Sequence, residues 1–247
     1  MSSWLLIKNK NIFLKKSDIH LWRVRLSQEE RLLQNLTKFL TYEEVEKANK
    51  FYKNIDKIRY IFARSILKLL ISNYLSLDAK NIHFSYSKYF KPFLAINKNL
   101  LNLKFNMTHA GNWISYAFTL EDEIGIDIEE YKNDFDMTGS AKLVFSPEEF
   151  CLWQELPENE KCASFFHIWS CKEAIMKAIG LGFHYPPEKI TVSINPFIPC
   201  SFIEDKNCNH NLSDWTLEKF NIDNNYSAAF AIKKKNINLS LFEWDFY

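Results

Sequence analysis

The chain is poor in glycine, has no closely paired cysteines and contains no long apolar run. Glycine accounts for only five of the 247 residues, so each one is expected to mark a turn or a close backbone approach. The five cysteines include no C-x-x-C pair, which argues against a disulfide framework or a zinc cluster and predicts a reducing, cytoplasmic environment. No stretch approaches the length of a membrane span, and the apolar run at residues 4–7 is too short for the core of a signal peptide.

The sequence also lacks a strong charge of either sign. Its formal net charge is +1, so no overall field favours nucleic acid, and any basic site must be local. Hydrophobic residues make up 47% of the chain and aromatic residues 16%, which is ample for a packed core. The length fits one large domain or two small ones. We therefore expect a protein without nucleic acid or membrane partners.

Helical and strand-like patterns occur in two successive sets, which predicts an α+β fold with mostly antiparallel sheets. We place the boundary near residue 121, which gives an N-terminal half (1–121) and a C-terminal half (122–247). The predicted helical segments are one opened by a capping box at residues 27–30, then 41–75, 147–156 and 163–179. The predicted strands are 4–8, 19–26, 82–85, 92–96, 104–108, 114–120, 124–131, 190–194, 216–222, 228–233 and 239–244. The polar segment 204–214 is expected to be a surface loop.

The segment Gly125-Ile-Asp-Ile-Glu129 places two carboxylates on one strand face. Side chains alternate along a strand, so Asp127 and Glu129 share one face while Ile126 and Ile128 share the other. Neighbouring carboxylates repel each other unless a cation or bases offset them, and their oxygens suit magnesium. A solvated acidic face of an edge strand would explain the same residues without chemistry.

A second candidate is the pair Glu173 and Lys177, which are i,i+4 neighbours on a predicted helix. A surface Glu–Lys pair of this kind contributes only about 0.2–0.5 kcal/mol. The functional alternative is a third metal ligand beside an ammonium group that binds phosphate. Gly180 or Gly182 is expected to cap the end of this helix.

Two further segments carry polar groups with both structural and functional interpretations. Thr108 and His109 precede the scarce Gly111, and His109 is predicted to lie in a turn, where imidazole and hydroxyl can both donate to phosphate oxygens. In Ser146-Pro-Glu-Glu149, serine, proline and glutamate occupy the N-cap, N1 and N3 positions of a capping box. That arrangement accounts for Glu149 without chemistry.

Basic residues are frequent on the predicted helices of the first half. They are Lys47, Lys50, Lys53, Lys57, Arg59, Arg64 and Lys68, and Lys91 follows before Pro92. Most are expected to form a solvated helix face, although some could bind a polyphosphate.

In their order and spacing, these segments resemble the Sfp-type 4'-phosphopantetheinyl transferases. The resemblance extends from about residue 51 to about residue 194. It covers Phe51-Tyr52 with Arg59, Lys91-Pro92, Phe105-Asn-Met-Thr-His-Ala-Gly111, Gly125-Ile-Asp-Ile-Glu129, Phe145-Ser-Pro-Glu-Glu149 and Trp169-Ser-Cys-Lys-Glu-Ala-Ile-Met-Lys177.

The resemblance implies two similar halves related by a pseudo-twofold axis, with coenzyme A bound in the cleft between them. It implies that magnesium is bound by three acids, Asp127, Glu129 and Glu173. Glu173 and Lys177 are the implied catalytic residues. Coenzyme A would be bound by Lys47, Lys91, Thr108, His109 and Lys177.

The implied reaction transfers the 4'-phosphopantetheine arm from coenzyme A to a serine of an apo acyl or peptidyl carrier protein and releases 3',5'-ADP. Since the two halves are fused, a monomer would suffice. The group that accepts the serine proton stays open among Glu173, Glu149 and a metal-bound water. Two other functions use the same residues: a magnesium-dependent nucleotide phosphohydrolase, and a module that binds coenzyme A or a carrier domain without transfer.

One departure from the family pattern concerns the residue before Lys91. The family usually has Gly-Lys-Pro where this chain has Phe90-Lys91-Pro92. Phenylalanine lacks the backbone freedom of glycine, so the local contact with the nucleotide is expected to differ. The ring of Phe90 could stack on adenine, but we expect it to fill the core under the loop, because most phenylalanines are buried.

Overall fold

The fold is that of a computed structural model, which describes residues 4–7, 12–95, 99–132, 134–207 and 212–246. The helices in these ranges are α1 (Glu30–Thr37), α2 (Tyr42–Asn49), α3 (Asn54–Leu75), α4 (Met137–Val144), α5 (Pro147–Gln154) and α6 (Glu158–Ile179). The strands are β1 (Leu5–Ile7), β2 (Asp18–Arg25), β3 (Phe84–Tyr86), β4 (Pro92–Leu94), β5 (Leu103–Ala110), β6 (Trp113–Leu120), β7 (Ile124–Glu130), β8 (Ile190–Val192), β9 (Phe202–Asp205), β10 (Thr216–Lys219), β11 (Tyr226–Ile232) and β12 (Asn238–Trp244). This combination confirms the predicted α+β class.

Each half packs one long helix on antiparallel strands. Helices α3 and α6 are both 22 residues long. The apolar side of α3 enters a core shared with β5 and β6, in which Phe62 and Tyr116 are fully buried. The predicted stripe of α6, including Ile168 and Ile175, is buried in a second core against β11. The repetition of this unit confirms the expectation of two similar halves. No helix of the described chain combines the length and the apolar character that crossing a membrane requires.

The strands form two main sheets that meet along β5 and β7. The larger sheet has the order β1-β12-β2-β6-β5 and the smaller one β10-β11-β7, beside the two-stranded pairs β3-β4 and β8-β9. The amides of Ile126 and Ile128 in β7 are directed at β5, where Asn106 Oδ1 accepts from Ile126 N at 3.0 Å and Thr108 Oγ1 accepts from Ile128 N at 3.4 Å. Side chains of β5 therefore satisfy backbone donors at the sheet edge where β7 would otherwise leave them unpaired.

The last strand of the chain returns to the first half. β12 pairs in parallel with both β1 and β2, so it lies in the larger sheet although it belongs to the predicted C-terminal half, 122–247. The larger sheet is thus built from both ends of the chain. The boundary at residue 121 stays a prediction, and no single cut there separates the two sheets.

Several local predictions differ from the structure. The capping box at residues 27–30 is wrong, because the N-cap of α1 is Glu29 and makes no side-chain cap, while the Ser27 hydroxyl accepts from Glu29 N at 3.2 Å. Residues 41–75 form two helices, α2 and α3, instead of one continuous segment. The start of α6 lies before the predicted residue 163.

Two elements, α4 and β9, have no counterpart in the sequence prediction, because both are short and neither has a sustained apolar period. β9 occupies the start of the predicted loop 204–214, of which residues 208–211 lie outside the described residues. The predicted strands 4–8 and 92–96 likewise extend to residues outside that part of the chain.

Candidate active site

Gly125 allows α6 to pack directly on β7. A Cβ atom at this position would collide with the backbone oxygen of Ala174, so any side chain would push the helix away from the strand. Gly125 and Asp127 lie on the same strand face, because they are two positions apart along the strand. The close approach of helix and strand therefore brings Glu173 and Lys177 of α6 to Asp127.

Asp127 is the buried centre of this cluster, and the residue is 3% exposed. Its Oδ1 accepts hydrogen bonds from Lys177 Nζ at 2.6 Å and from Thr108 Oγ1 at 3.0 Å. Its Oδ2 is buried and has no hydrogen-bond partner among the described residues. One carboxylate oxygen thus accepts two hydrogen bonds, while the other has no partner among the described residues and is called bare below.

Two more acids surround the same lysine. Glu173 Oε2 lies 3.9 Å from Lys177 Nζ, and Glu173 Oε1 is buried without a partner in the described part of the chain. Burial, reinforced by the negative charges of Asp127 and Glu173, raises the pKa of Glu129 to about 7. Although burial opposes it, the surrounding carboxylates raise the pKa of Lys177, so its ammonium form is retained. One positive charge therefore faces three acids.

The donor set suits a divalent cation that also binds substrate and water. No group of three or more histidine, cysteine, aspartate or glutamate side chains in the described residues is arranged to hold a metal ion. Magnesium, however, is usually held by one or two carboxylates together with water and substrate phosphates. Asp127 Oδ2 and Glu173 Oε1 are two such buried oxygens without a partner among the described residues. The site therefore fits a metal ion whose coordination shell is completed by water and substrate, and not by protein ligands alone.

Thr108 and His109 both lie in β5, so the prediction that His109 lies in a turn is wrong. The strand continues because its backbone pairs with β6, and the turn starts at Gly111, which has φ +51°. Thr108 is buried in the cluster, whereas His109 is exposed beside it. Partial loss of solvent around the imidazole, together with the positive charges of Arg59 and Lys177, lowers the pKa of His109. The neutral ring is therefore favoured there.

Lys91 joins the first half to the end of α6. Its Nζ donates to Glu123 Oε2 at 2.7 Å, to Lys177 O at 2.8 Å and to Ile124 O at 3.3 Å. A cation at the last carbonyls of a helix is a favourable cap. Gly180, with φ +86°, ends the same helix and confirms one of the two predicted caps. The contact of Lys91 with coenzyme A stays a prediction, and it would require the ammonium to exchange one of these acceptors.

Lys47 and Phe90 line a cavity that is separate from the Asp127 cluster and has a volume of about 400 Å³. Lys47 Nζ lies 5.5 Å from the ring centre of Tyr60. Phe90 is 83% exposed, so the expectation that its ring fills the core is wrong. Its φ of +63° lies in the left-handed region, which costs a non-glycine residue about 1–2 kcal/mol. The ring borders the cavity instead.

Glu149 belongs to a separate buried network. Ser146 Oγ accepts from Glu149 N at 3.2 Å and Glu149 Oε2 accepts from Ser146 N at 2.7 Å, which confirms the predicted capping box. The same carboxylate pairs with Lys172 Nζ at 2.5 Å, and its Oε1 accepts from Val192 N at 2.7 Å. Both oxygens are used, which favours the structural interpretation.

Two positioning roles were missed from the sequence, those of Gly125 and Asn106. A signal for Gly125 exists, since a scarce glycine inside a strand often marks close backbone approach. Asn106 has a weaker one: it is a polar residue on a buried strand, two positions before Thr108 and therefore on the same face.

Two family models divide the chain between them. The model for the 4'-phosphopantetheinyl transferase superfamily matches residues 123–231, and the model for the N-terminal part of 4'-phosphopantetheinyl transferase matches residues 22–120. Both halves are therefore recognised independently.

Relatives that match two thirds or more of the chain agree. The 4'-phosphopantetheinyl transferase HetI of Nostoc sp. is 33% identical over 230 residues, which cover 93% of this chain and 93% of HetI. The 4'-phosphopantetheinyl transferase Sfp of Bacillus subtilis is 32% identical over 69% of this chain and 72% of its own length. The L-aminoadipate-semialdehyde dehydrogenase-phosphopantetheinyl transferase of Mus musculus is 26% identical over 78% of this chain and 66% of its own. These matches confirm the resemblance seen in the motifs, and the chain belongs to the 4'-phosphopantetheinyl transferase family.

Proposed function

We propose that this enzyme transfers the 4'-phosphopantetheine arm from coenzyme A to a serine of an apo acyl or peptidyl carrier protein and releases 3',5'-ADP. Membership of the family supports the reaction class. The observation that carries the proposal is the cluster of Asp127, Glu173 and Lys177, with two bare carboxylate oxygens beside one ammonium. Phosphoryl transfer depends mainly on such positioned charges.

Asp127, Glu129 and Glu173 would hold a magnesium ion. The bare oxygens of Asp127 and Glu173 support this assignment, and the raised pKa of Glu129 is the response expected of an acid in a cluster short of positive charge. Magnesium, when bound, would neutralise negative charge that develops on the pyrophosphate.

Lys177 would bind the phosphates of coenzyme A and act with Glu173 in catalysis. The lysine side chain is 25% exposed, so its ammonium can reach a ligand while it still contacts Asp127. The serine proton would pass to Glu173 or to a water that Glu173 orients. Glu149 is a weaker candidate, because both of its oxygens are engaged elsewhere.

The nucleotide end of coenzyme A would be bound by Lys47, Lys91 and His109 of the N-terminal half (1–121), whereas the hydroxyl of Thr108, the fourth predicted ligand, is already engaged with Asp127. The cavity beside Lys47 supports a phosphate near that lysine. The side chain of Arg64 is buried next to Tyr86 of the cavity wall, and its Nη1 has no acceptor among the described residues. A buried guanidinium N–H without an acceptor is well suited to a phosphate oxygen.

Incubation with coenzyme A, magnesium and a panel of apo carrier proteins tests the function by mass spectrometry. We expect a mass increase of one phosphopantetheine group on a carrier serine and an equal amount of 3',5'-ADP. Release of 3',5'-ADP without a carrier would indicate the phosphohydrolase, and binding without release would indicate the non-transferring module. The cytoplasmic location and monomeric state are proposed with it, and light scattering tests the latter.

A further inference from the structure

The hydroxyl of Thr108 has two hydrogen bonds inside the protein. It donates to Asp127 Oδ1 at 3.0 Å and accepts from Ile128 N at 3.4 Å. The residue is 7% exposed. A hydroxyl has a single proton, so the proton given to Asp127 is not available to a phosphate oxygen. The structure therefore argues against a phosphate donor at this position.

The hydrogen bond from Thr108 selects one oxygen of the Asp127 carboxylate. Lys177 Nζ approaches the same Oδ1, at 2.6 Å, so both protein donors lie on one side of the carboxylate. Oδ2 is left buried and without a partner among the described residues. Two donors on Oδ1 restrain rotation of the carboxylate, and so they fix the direction in which Oδ2 points.

The backbone around Asp127 is held by the same strand. Asn106 Oδ1 accepts from Ile126 N and Thr108 Oγ1 accepts from Ile128 N, so the amides on both sides of Asp127 are bonded to β5. Asn106 and Thr108 thus brace β7 in the same way, but Thr108 adds the bond to the carboxylate. This difference makes Asn106 a matched control.

We propose that Thr108 is a positioning residue, whose hydroxyl orients Asp127 toward the metal ion instead of donating to a phosphate of coenzyme A. The inference rests on the proposed function, because it assigns Asp127 Oδ2 to the cation. Partners that orient a ligand side chain typically change metal affinity or activity about 10- to 100-fold when they are removed.

The test compares Thr108→Val, Thr108→Ser and Asn106→Ala with the wild type. Mn²⁺ binding is followed by the electron paramagnetic resonance signal of free Mn²⁺, with 3',5'-ADP present, and kcat and KM for coenzyme A are measured with an apo carrier. We expect Thr108→Val to weaken Mn²⁺ binding about 10- to 100-fold and to lower kcat, with KM for coenzyme A within about twofold. Thr108→Ser should restore both values. Asn106→Ala should lower the melting temperature but leave Mn²⁺ affinity unchanged.

A rise in KM for coenzyme A of about tenfold or more in Thr108→Val, with unchanged Mn²⁺ affinity, would overturn the inference, because it indicates direct contact with the substrate. Equal losses of Mn²⁺ affinity in Thr108→Val and Asn106→Ala would also overturn it, since bracing of β7 would then explain both. Thr108→Ala replaces the valine variant if that variant does not fold. Failure of the wild type to transfer, or transfer without metal, would contradict the proposed function itself and is seen in the same assays.

Discussion

Two buried ion pairs on the same helix differ in how completely they are satisfied. Lys172 and Lys177 of α6 form short contacts with Glu149 at 2.5 Å and with Asp127 at 2.6 Å. The ammonium of Lys172 is fully buried and also donates to two backbone carbonyls, at 2.8 and 3.0 Å. Both oxygens of Glu149 are likewise used. Asp127, in contrast, keeps one bare oxygen, and its lysine is 25% exposed.

The contrast indicates that burial and charge alone do not identify the functional pair. A buried polar atom left without a partner costs about 1–3 kcal/mol, more if it is charged, so native proteins keep few of them. We name the Glu149–Lys172 contact the closed pair, and the Asp127–Lys177 contact together with its neighbouring acids, Glu129 and Glu173, the open pair. The closed pair has no capacity for a ligand, whereas the open pair keeps unsatisfied atoms that a ligand would complete.

Breaking the open pair should have the largest effect, on turnover and not on folding. Asp127→Asn and Glu173→Gln each remove one negative charge from a cluster of three acids. We expect transfer to fall by at least about 10²–10³-fold, because charge stabilisation at the phosphates is lost. Melting temperature should stay within a few degrees, since repulsion among the acids falls. Transfer assays and thermal unfolding on the same preparations check this.

Metal removal gives the companion measurement. A chelator should stop transfer by the wild type, and Mg²⁺ or Mn²⁺ should restore it, but neither ion should rescue the two variants. Full activity of either variant would contradict the assignment of the open pair.

Breaking the closed pair should affect stability instead. Lys172→Met leaves Glu149 as a buried charge without compensation, so we expect the free energy of unfolding to fall by about 3–5 kcal/mol. Urea unfolding measures it. Lys177→Met is the control on the same helix, and it should weaken coenzyme A binding about 10- to 150-fold with a smaller loss of stability. Interchanged outcomes for the two lysines would refute the distinction between the pairs.

Glu149→Gln sharpens the same point. Glutamine can still accept at the N-cap but no longer balances Lys172. The variant should be less stable and yet keep most of its turnover per folded molecule. A loss of turnover with normal folding and coenzyme A binding would instead make Glu149 a catalytic group.

The pH dependence of the free energy of unfolding reports on the excess of negative charge around the open pair. The pKa of Glu129, about 7 in the folded chain, is raised from an ordinary value of 4.5. The folded chain then binds extra protons, so this contribution to stability is complete at low pH and is lost as pH rises from about 4.5 to about 7. In metal-free protein the loss should be on the order of 1–2 kcal/mol after allowance for solvent screening.

Denaturant unfolding across this interval, in the presence of a chelator, tests the effect. Because glutamine does not titrate, the difference in slope between the wild type and Glu129→Gln isolates the contribution of Glu129 from those of the neighbouring acids, Asp127 and Glu173, whose pKa values burial also raises. An unchanged slope in that variant would assign the dependence to other carboxyl groups.

Local periodicity made much of the open pair predictable. Strand alternation brings Asp127 and Glu129 to one face, and helical spacing buries Ile168 and Ile175 of α6. The sequence does not show which side chain or backbone group, distant along the chain, each of these polar side chains contacts. Lys91, a predicted coenzyme A ligand, caps α6 through contacts with residues far along the chain, which no local pattern encodes.

The predicted secondary structure has the same limit. Strands with a buried face were located to within a few residues, since their apolar pattern is set by one core. The break between α2 and α3 and the extension of β5 through His109 depend on packing and on pairing with β6, so the local pattern missed both.

Phe90 extends the comparison to the cavity beside Lys47. Arg64 donates to Tyr86 of the cavity wall, and its Nη1 is another buried atom without an acceptor among the described residues. In the open pair, the buried atoms without a partner are those that a ligand would complete. If the same holds beside this cavity, the cavity binds the nucleotide, and the exposed ring of Phe90 would stack on adenine. Phe90→Ala and Phe90→Gly both remove the ring. Each should weaken coenzyme A binding by about 1–3 kcal/mol, the range of base–aromatic stacking.

The two substitutions differ only in the backbone, which makes them a matched pair. Phe90 has φ +63°, and alanine keeps the cost of that conformation, about 1–2 kcal/mol, whereas glycine relieves it. Glycine loses about 0.4–1 kcal/mol of this gain through the greater freedom of the unfolded chain. Phe90→Gly should therefore be more stable than Phe90→Ala by roughly 0.5–1 kcal/mol, while both bind coenzyme A equally weakly. Calorimetric titration and urea unfolding measure the two quantities separately. Normal binding by both variants would mean that the ring does not contact the nucleotide. The comparison of this cavity with the open pair would then fail.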